Sequence, residues 1–296
     1  MVGYVDAMRS TLAEIIGERD RVVALSLPPG LSPAMRALVS DAVEQLVVYQ
    51  GRRHALLYLE RITRFARRPD VGEELLQEIA RLMLARMTYE DPFRLAQLAL
   101  IEAKIGPDGV ARVRVDRKCR FRIDEWVSAL PVVVARPLLK VLGTLGWQHI
   151  HLKMRFNATD WLGIRRLRAE AWLRRWRMLS IRYAQERSFV ERWLHMIDRC
   201  LVKRPEAVWA VVQSATMIGG YGDAYRYGLA NWTLIIDSLV KPVFAGTLVL
   251  DNLQEAIAEA RAAAVPDRRQ TALKRCIAAI RARAGAAAIE GSDLPR

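Results

Sequence analysis

The chain reads Gly219-Gly220-Tyr221-Gly222-Asp223-Ala224-Tyr225-Arg226-Tyr227-Gly228-Leu229-Ala230-Asn231-Trp232 in the segment that best reveals its fold. The glycines before Asp223 permit positive φ angles, so we expect a sharp turn there. Asp223 then stands where the N-cap of a helix belongs. Apolar residues recur at helical spacing from Leu229 until Pro242, which we expect to end the helix. A glycine turn that leads into a capped helix therefore predicts a helical fold.

Gly228 lies inside this predicted helix, where glycine costs about 1 kcal/mol relative to alanine. We therefore expect it to mark the close approach of another helix or loop. The turn before it could hold an anion on exposed N–H groups. No P-loop lysine follows the turn and no strand precedes it, so it matches neither nucleotide-binding motif. Plain helix-start geometry and contact with a ligand or partner both remain open interpretations.

The composition favours a globular protein of a reducing compartment. Hydrophobic residues make up 52% of 296 residues, which is enough for a core and excludes global disorder. The three cysteines, at 119, 200 and 276, form no CxxC pair. This chain alone therefore cannot hold a cysteine-ligated iron–sulfur cluster or zinc knuckle. The charged N-terminus lacks the apolar stretch of a signal peptide, and we expect a cytoplasmic location.

Much of the net charge of +14 is concentrated in one arginine-rich segment, Arg165–Arg182, whose single acidic residue is Glu170. Tryptophans are interleaved with the arginines, an arrangement that can bind phosphates and stack on bases. The alternative is an amphipathic helix whose arginines face water or an acidic protein. We favour the protein surface or solvent over nucleic acid. The candidate residues for an anionic partner are Arg165, Arg166, Arg168, Arg174, Arg175 and Arg177.

The whole chain has the pattern of an all-α, bundle-like protein with at most one short β-ribbon near residues 110–123, where apolar and charged residues alternate. Ser32 before Pro33 and Asp91 before Pro92 are helix-start signals. The first of these helices is expected to run to about Phe65. We expect a lead-in helix and linker over 1–30, a single helical domain over 31–284 and a flexible tail over 285–296.

Two apolar stretches, residues 128–147 and 229–250, invite comparison with membrane spans. Both contain prolines and charges in mid-segment, and each central charge costs about 2.5–3.5 kcal/mol on insertion. We therefore predict two buried core helices and no membrane span.

Catalytic and metal-binding motifs are not apparent. His149 and His151 have a spacing known among metal ligands, but no third ligand of suitable spacing accompanies them, so we predict no metal site. Neither a nucleophile-elbow motif nor a His-Glu-x-x-His motif occurs. We expect no self-sufficient active site.

Four segments carry a family resemblance, and in chain order they are Gln45–Ile62, Met87–Leu98, Ile181–Glu186 with Trp193-Leu194 following, and Gly220–Trp232. Together they resemble the helical C-terminal half of the indolepyruvate oxidoreductase beta-subunit family. The chain departs from the family pattern at Pro92, where a small polar residue is usual, and at Trp232, where phenylalanine is usual. The α/β domain, the thiamine motif and the four-cysteine motifs have no counterpart in this sequence.

The resemblance implies a helical accessory domain of a 2-oxoacid:acceptor oxidoreductase that is not catalytic by itself. The complete enzyme would oxidatively decarboxylate aryl 2-oxoacids. Thiamine diphosphate, iron–sulfur clusters and coenzyme A would then belong to partner subunits, with no cofactor bound by this chain alone. The expected partner is the catalytic subunit. A basic helical module that binds nucleic acid or an acidic protein surface is the alternative.

Polar residues at helix starts beside turns are the expected contacts, because loops at such places often carry function. The candidates for contact with a ligand or partner are Tyr89, Glu90 and Asp91, with Tyr221, Gly222, Asp223, Arg226 and Asn231. The simpler interpretation is that Asp91 and Asp223 are only helix caps.

Overall fold

The computed structural model describes residues 25–264 and 269–292, and helices dominate it. The predicted lead-in helix lies outside the described residues. The chain divides into two compact units, Met1–Ser188 and Phe189–Arg296. The single helical domain predicted over 31–284 stays a prediction, since two compact units can belong to one domain. The all-α class with one small β-ribbon is confirmed.

The first unit contains seven helices and a two-stranded sheet within its described residues, and the helix that follows continues into the second unit. The helices are α1 (Pro33–Gln50), α2 (Arg52–Ala66), α3 (Glu73–Met87), α4 (Pro92–Glu102), α5 (Ile123–Ser128), α6 (Val132–Thr144), α7 (Trp161–Trp172) and α8 (Ile181–Lys203). The strands are β1 (Asp116–Arg122) and β2 (His151–Asn157), and a 3-10 segment, Leu173–Leu179, connects α7 to α8.

The predicted helix starts are confirmed at Ser32 and Asp91. The Ser32 hydroxyl accepts the Met35 N–H at 3.1 Å, and the Asp91 carboxylate accepts the Arg94 N–H at 2.7 Å. The predicted single helix from Ser32 to about Phe65 is instead two helices. Gly51 separates them because it adopts φ of +93°, a conformation that interrupts an α-helix and suits glycine.

The β-ribbon pairs a predicted segment with one that the strand pattern did not reveal. β1 lies within the predicted 110–123 range, while its antiparallel partner β2 comes some 30 residues later, with Cys119 opposite Met154. One face of the ribbon is buried through Phe121 and Phe156, whose rings meet edge to face at 6.5 Å. The other face is charged, as expected of a two-stranded ribbon that is half exposed.

Helix α6 contradicts the prediction that residues 128–147 form a buried core helix. Ala135 and Leu142 are its buried residues, and they pack against Val127 of α5. The rest of its surface is half-buried or exposed. The other apolar stretch, 229–250, does enter a core. Across residues 25–264 and 269–292, no helix has both the length and the apolar character needed to cross a membrane.

The second unit begins within α8 and contains five further helices in its described residues. These are α9 (Val208–Gln213), α10 (Gly222–Ile235), α11 (Lys241–Ala245), α12 (Leu253–Ala262) and α13 (Thr271–Ser292). Its core includes Trp193, Trp232 and Phe244, each nearly fully buried. The Trp232 indole N–H donates to the Ser214 hydroxyl at 2.9 Å, which satisfies its polar edge inside the core.

Two predicted helix ends differ from the structure. Pro242 does not stop the helical run. A π-helical turn, Ile236–Val240, precedes it, and Pro242 then occupies the first turn of α11. Proline is tolerated in a first turn because no intrahelical N–H bond is needed there. The backbone turns away after Ala245, at Gly246 with φ of +75°. Near the C-terminus, α13 continues through Gly285 to Ser292, over most of the predicted tail.

The predicted role of Gly228 as a point of close approach is confirmed. A Cβ atom there would lie 2.2 Å from the carbonyl oxygen of Met217, at the end of the 3-10 turn Ser214–Met217. A backbone oxygen cannot move aside as a side chain can. Glycine is therefore required where α10 crosses this turn.

Gly228→Ala is expected to lower the free energy of unfolding by about 1–3 kcal/mol, because overpacking outweighs the gain in helix propensity. Gly285→Ala is the matched control, since a Cβ atom there meets no atom within 4 Å. Urea denaturation of both variants checks the prediction. Equal or greater stability of Gly228→Ala would contradict the close approach.

Candidate functional site

Asp91 holds together three parts of the first unit. Its carboxylate caps α4 and also accepts two hydrogen bonds from the Arg177 guanidinium, from Nε at 2.6 Å and from Nη2 at 2.9 Å. Both side chains are buried, and Arg177 is completely inaccessible to solvent. This bidentate geometry is the strongest form of arginine–carboxylate pairing.

The remaining nitrogen of Arg177 binds the end of α1. Its Nη1 atom donates to the Tyr49 carbonyl at 3.2 Å and to the Gln50 side-chain oxygen at 2.9 Å. The guanidinium also lies over the Tyr49 ring, 4.2 Å from its centre. Burial opposes the charge of Arg177, but Asp91 and the surrounding groups outweigh it and raise the pKa. Arg177 is therefore a charged residue of the interior.

Tyr89 extends this buried cluster. Tyr49 donates its hydroxyl to the Tyr89 carbonyl at 2.9 Å, and the two rings meet edge to face at 6.0 Å. Burial raises the pKa of both phenols, so both stay neutral. The Tyr89 hydroxyl is itself buried and has no hydrogen-bond partner within the described residues.

A second buried ion pair joins α3 to the start of α8. The Glu186 carboxylate lies 2.8 Å from Arg86 and 3.0 Å from Arg182, and all three side chains are almost inaccessible. Because each charge is removed from water, each needs a counter-charge within reach. This arrangement accounts for Arg182 and Glu186 of the Ile181–Glu186 segment as packing residues of the first unit.

His54 is buried beside this cluster in its neutral form. The ring Nε2 donates to the Met87 carbonyl at 2.9 Å, and Nδ1 accepts from the Tyr183 hydroxyl at 3.3 Å. Burial lowers the pKa of His54 to about 4. The imidazole therefore acts as an uncharged link between α2, α3 and α8.

These contacts correct two of the predicted partner contacts. Asp91 and Tyr89 are 4% exposed and face the interior, so neither offers a side chain to a partner, while Glu90 between them is half-buried. The interpretation of Asp91 as only a cap is also incomplete, because the same carboxylate balances Arg177. Signals of a helix start could not reveal a partner that lies 86 residues away.

The glycine segment 219–232 belongs to the second unit. Gly220 and Gly222 adopt φ of +66° and +68°, which confirms the predicted turn. Helix α10 begins at Gly222 with Tyr221 at its N-cap, so Asp223 lies in the first turn and is not the cap. Asp223 is exposed, Tyr221 and Arg226 are half-buried, and Gly222 is buried. Asn231 is buried and its Oδ1 accepts from Gln270 at 2.9 Å.

The predicted arginine surface divides into several environments. Arg165 lies over the Trp161 ring at 4.5 Å, Arg166 pairs with Glu170 at 2.7 Å, and Arg168 is exposed. Arg174 and Arg175 are half-buried. Arg177 was expected at the same surface, and that prediction is wrong because Asp91 holds it in the interior. The periodicity of a helix predicts which residues share a face only while the α-helix continues, and here it ends at Trp172.

An exposed apolar stripe on α6 and just beyond its end was not predicted from the sequence. Val134, Leu138, Val141 and Leu145 recur at spacings of four, three and four, which places them on one side of the helix. Each is 41–53% exposed, and Trp147 and Ile150 continue the apolar character at 52% and 45%. We call Val134, Leu138, Val141 and Leu145 the α6 face. The spacing of these residues is visible in the sequence. However, the same helix has a second apolar side, so the pattern predicted a fully buried helix and not an exposed face.

Basic residues accompany the α6 face. Arg136 and Lys140 are exposed on the same helix. A short 3-10 turn, Trp147–His149, connects α6 to the ribbon, where the exposed Arg120 and Lys153 stand directly opposite each other. Like charges in this position repel.

The two predicted metal-spaced histidines do not form a metal site in the part of the chain that the structure describes. His149 Nδ1 instead accepts from Arg122 at 2.7 Å. No group of three or more potential ligands lies together anywhere among the described residues.

Asp91→Asn is expected to destabilise the protein by about 3–5 kcal/mol, because it leaves the Arg177 charge buried without a counter-charge. Asparagine caps helices as well as aspartate, so a cap alone predicts almost no change. Chemical denaturation distinguishes the two. The control is Asp116→Asn at the exposed Asp116–Arg155 pair, where we expect a loss of at most about 1 kcal/mol.

The stability of the protein is expected to fall between pH 6.5 and pH 4 because of His54. The unfolded chain binds a proton to this histidine below its ordinary pKa near 6.5, while the folded chain does so only below about 4. The loss reaches about 3 kcal/mol at the acidic end. His54→Gln should flatten this part of the stability–pH curve, whereas replacing the exposed His195 with Gln should not. An unchanged curve for His54→Gln would contradict the assignment.

Comparison with known families places residues 35–238 within a family of unknown function, DUF6537. No match was found among curated proteins. No match was found among solved structures. The matched region includes the buried Asp91–Arg177 cluster, the α6 face and the glycine turn. Since it covers more than half of the chain, the protein belongs to the DUF6537 family.

Proposed function

We propose that this protein is a helical accessory domain of an indolepyruvate oxidoreductase-like 2-oxoacid oxidoreductase, and that it binds the catalytic subunit without performing chemistry itself. The observation that carries the proposal is the α6 face. A helix that is apolar on both sides is ordinarily buried, yet one side of α6 remains exposed. An exposed apolar stripe with a polar border is typical of a protein–protein interface.

The resemblance of four sequence segments to the oxidoreductase beta subunit supports the choice of partner. Two of those segments, Met87–Leu98 and Ile181–Glu186, supply Asp91, Arg182 and Glu186 of the buried clusters. Buried, paired charges of this kind stabilise the fold, as is expected of a domain whose role is structural. Thiamine diphosphate, iron–sulfur clusters and coenzyme A would be bound by partner subunits, and the reaction would take place there.

The exposed basic residues on α6 and on the charged face of the ribbon favour an acidic partner surface. Four of these basic residues form no ion pair in the described part of the chain: Arg120, Arg136, Lys140 and Lys153. Carboxylates at the border of the partner's patch would neutralise them and accelerate association. The cytoplasmic location expected from the cysteine content agrees with a soluble oxidoreductase complex.

The alternative function is binding of nucleic acid or an acidic surface through the Arg165–Arg182 segment. Trp161 is 63% exposed beside Arg165, an arrangement suited to stacking. The burial of Arg177 and Arg182, and the pairing of Arg166 with Glu170, leave a smaller basic surface than the sequence indicates. The α6 face therefore supports the accessory role better.

Leu138→Glu combined with Val141→Glu is expected to reduce recovery of the catalytic subunit about tenfold or more, since charges within an apolar interface are not paired. The test is an affinity pull-down of the tagged protein from its own cells, with mass spectrometry of the recovered chains. Circular dichroism should show no change in folding, because both residues are exposed on a helix that tolerates glutamate.

Val202→Glu is the matched control for this experiment, because Val202 is 74% exposed on a helix of the other unit. Recovery of a thiamine-dependent, cluster-bearing 2-oxoacid oxidoreductase subunit with wild type and control, but not with the double variant, is the expected result. Recovery of nucleic acid, or of no protein, would contradict the accessory role. Equal recovery by all three forms would reject the α6 face as the interface.

A further inference from the structure

A cavity of about 680 Å³ lies within the second unit. The 3-10 turn Ser214–Met217, the start of α10 and the end of α12 supply its walls. Its volume falls within the range of small-molecule sites, about 300–1,000 Å³. Gly219 forms part of its border, so the cavity adjoins the glycine turn that was predicted from the sequence.

The Arg261 side chain brings a positive charge to the wall of this cavity. The Arg261 guanidinium donates to the Thr216 hydroxyl at 2.9 Å and has no carboxylate partner within the described residues. Burial lowers the pKa of Arg261, which shows that the charge has lost part of its hydration. Among the described residues that line the cavity, none is acidic. The guanidinium has five N–H donors, and apart from the bond to Thr216 no carboxylate of the described residues accepts from them.

The remaining wall combines one fixed amide with apolar surface. Asn231 is 3% exposed, and its contact with Gln270 holds the amide in place. Met217, Tyr227 and Ala258 add apolar and aromatic surface on other sides. A few oriented polar groups in a mostly apolar lining are the usual composition of a ligand site.

We propose that this cavity binds a small organic molecule that carries one carboxylate, held by Arg261, and an apolar body that packs against Met217 and Tyr227. One guanidinium balances one negative charge, so a monocarboxylate suits the cavity better than a phosphate, which carries more charge and lacks an apolar body. The site lies wholly within the second unit. It does not depend on the accessory role or on the α6 face.

Isothermal titration calorimetry of the full-length protein with benzoate and hexanoate tests the proposal. Benzamide and hexanamide serve as uncharged probes of the same shape, and inorganic phosphate serves as the competing anion. Saturable binding of the carboxylates, at least about tenfold tighter than their amides, is expected from a charge-assisted hydrogen bond. No partner protein is needed, so failure here and failure of the accessory role are distinguishable.

Three variants assign binding to this cavity. Arg261→Gln should weaken carboxylate binding about tenfold or more, while Arg261→Lys should retain part of it because it keeps the charge. Ala258→Phe should weaken binding by filling the cavity, and its exposed helical position tolerates the larger side chain. Arg275→Gln is the control, since Arg275 is exposed on α13 and does not line the cavity.

Carboxylate binding that is lost in Arg261→Gln and Ala258→Phe but unchanged in Arg275→Gln would support the site. Absence of saturable binding would overturn it, as would equal binding by Arg261→Gln. Tighter binding of phosphate than of benzoate would overturn the monocarboxylate assignment.

Discussion

The carboxylate of Asp91 both caps a helix and neutralises a buried arginine, and the packing of the first unit depends on these two interactions. It accepts an N–H at the start of α4 and, with both oxygens, binds the guanidinium of Arg177. Arginine cannot lose its proton in a protein interior, so a buried guanidinium requires a carboxylate close by. The end of α1, the start of α4 and the 3-10 segment after α7 must therefore converge within hydrogen-bond distance of one point.

Because of this constraint, the polar residues near Tyr89 are part of the framework of the first unit and are not a partner-binding loop. Polar residues beside a helix start suggest a functional loop when only the sequence is considered, because both caps and binding residues occur there. Burial separates the two possibilities. A charged side chain that is inaccessible and paired within its own fold supports the framework, while the side chains available to a partner lie elsewhere. In the first unit, the α6 face is the best candidate for that role.

Helix α6 and the run from α10 to α11 illustrate how similar apolar patterns can have opposite environments. Both stretches contain a proline and charged residues within an apolar sequence, and both suggested a core helix. Trp232, Ile235 and Leu239 lie in a core because α8, through Phe189, and α12 supply neighbours within the second unit. The α6 face has no such neighbour in the described part of its unit, so it remains exposed. The local pattern of apolar residues determines which sides of a helix are apolar. Whether those sides are buried depends on how many other elements pack around the helix.

The helical class, the capped starts of α1 and α4, one strand of the ribbon, the glycine turn and the close approach at Gly228 could all be predicted from the amino-acid sequence. Each depends on backbone sterics or on contacts within a few residues, which sequence spacing specifies directly. Four features became apparent only in the folded chain: Asp91 faces Arg177, β2 pairs with β1, α6 keeps an exposed apolar side and Arg261 lines a cavity. These depend on contacts between residues far apart in the chain, and the free energy of such contacts comes from burial and charge pairing that no local pattern records.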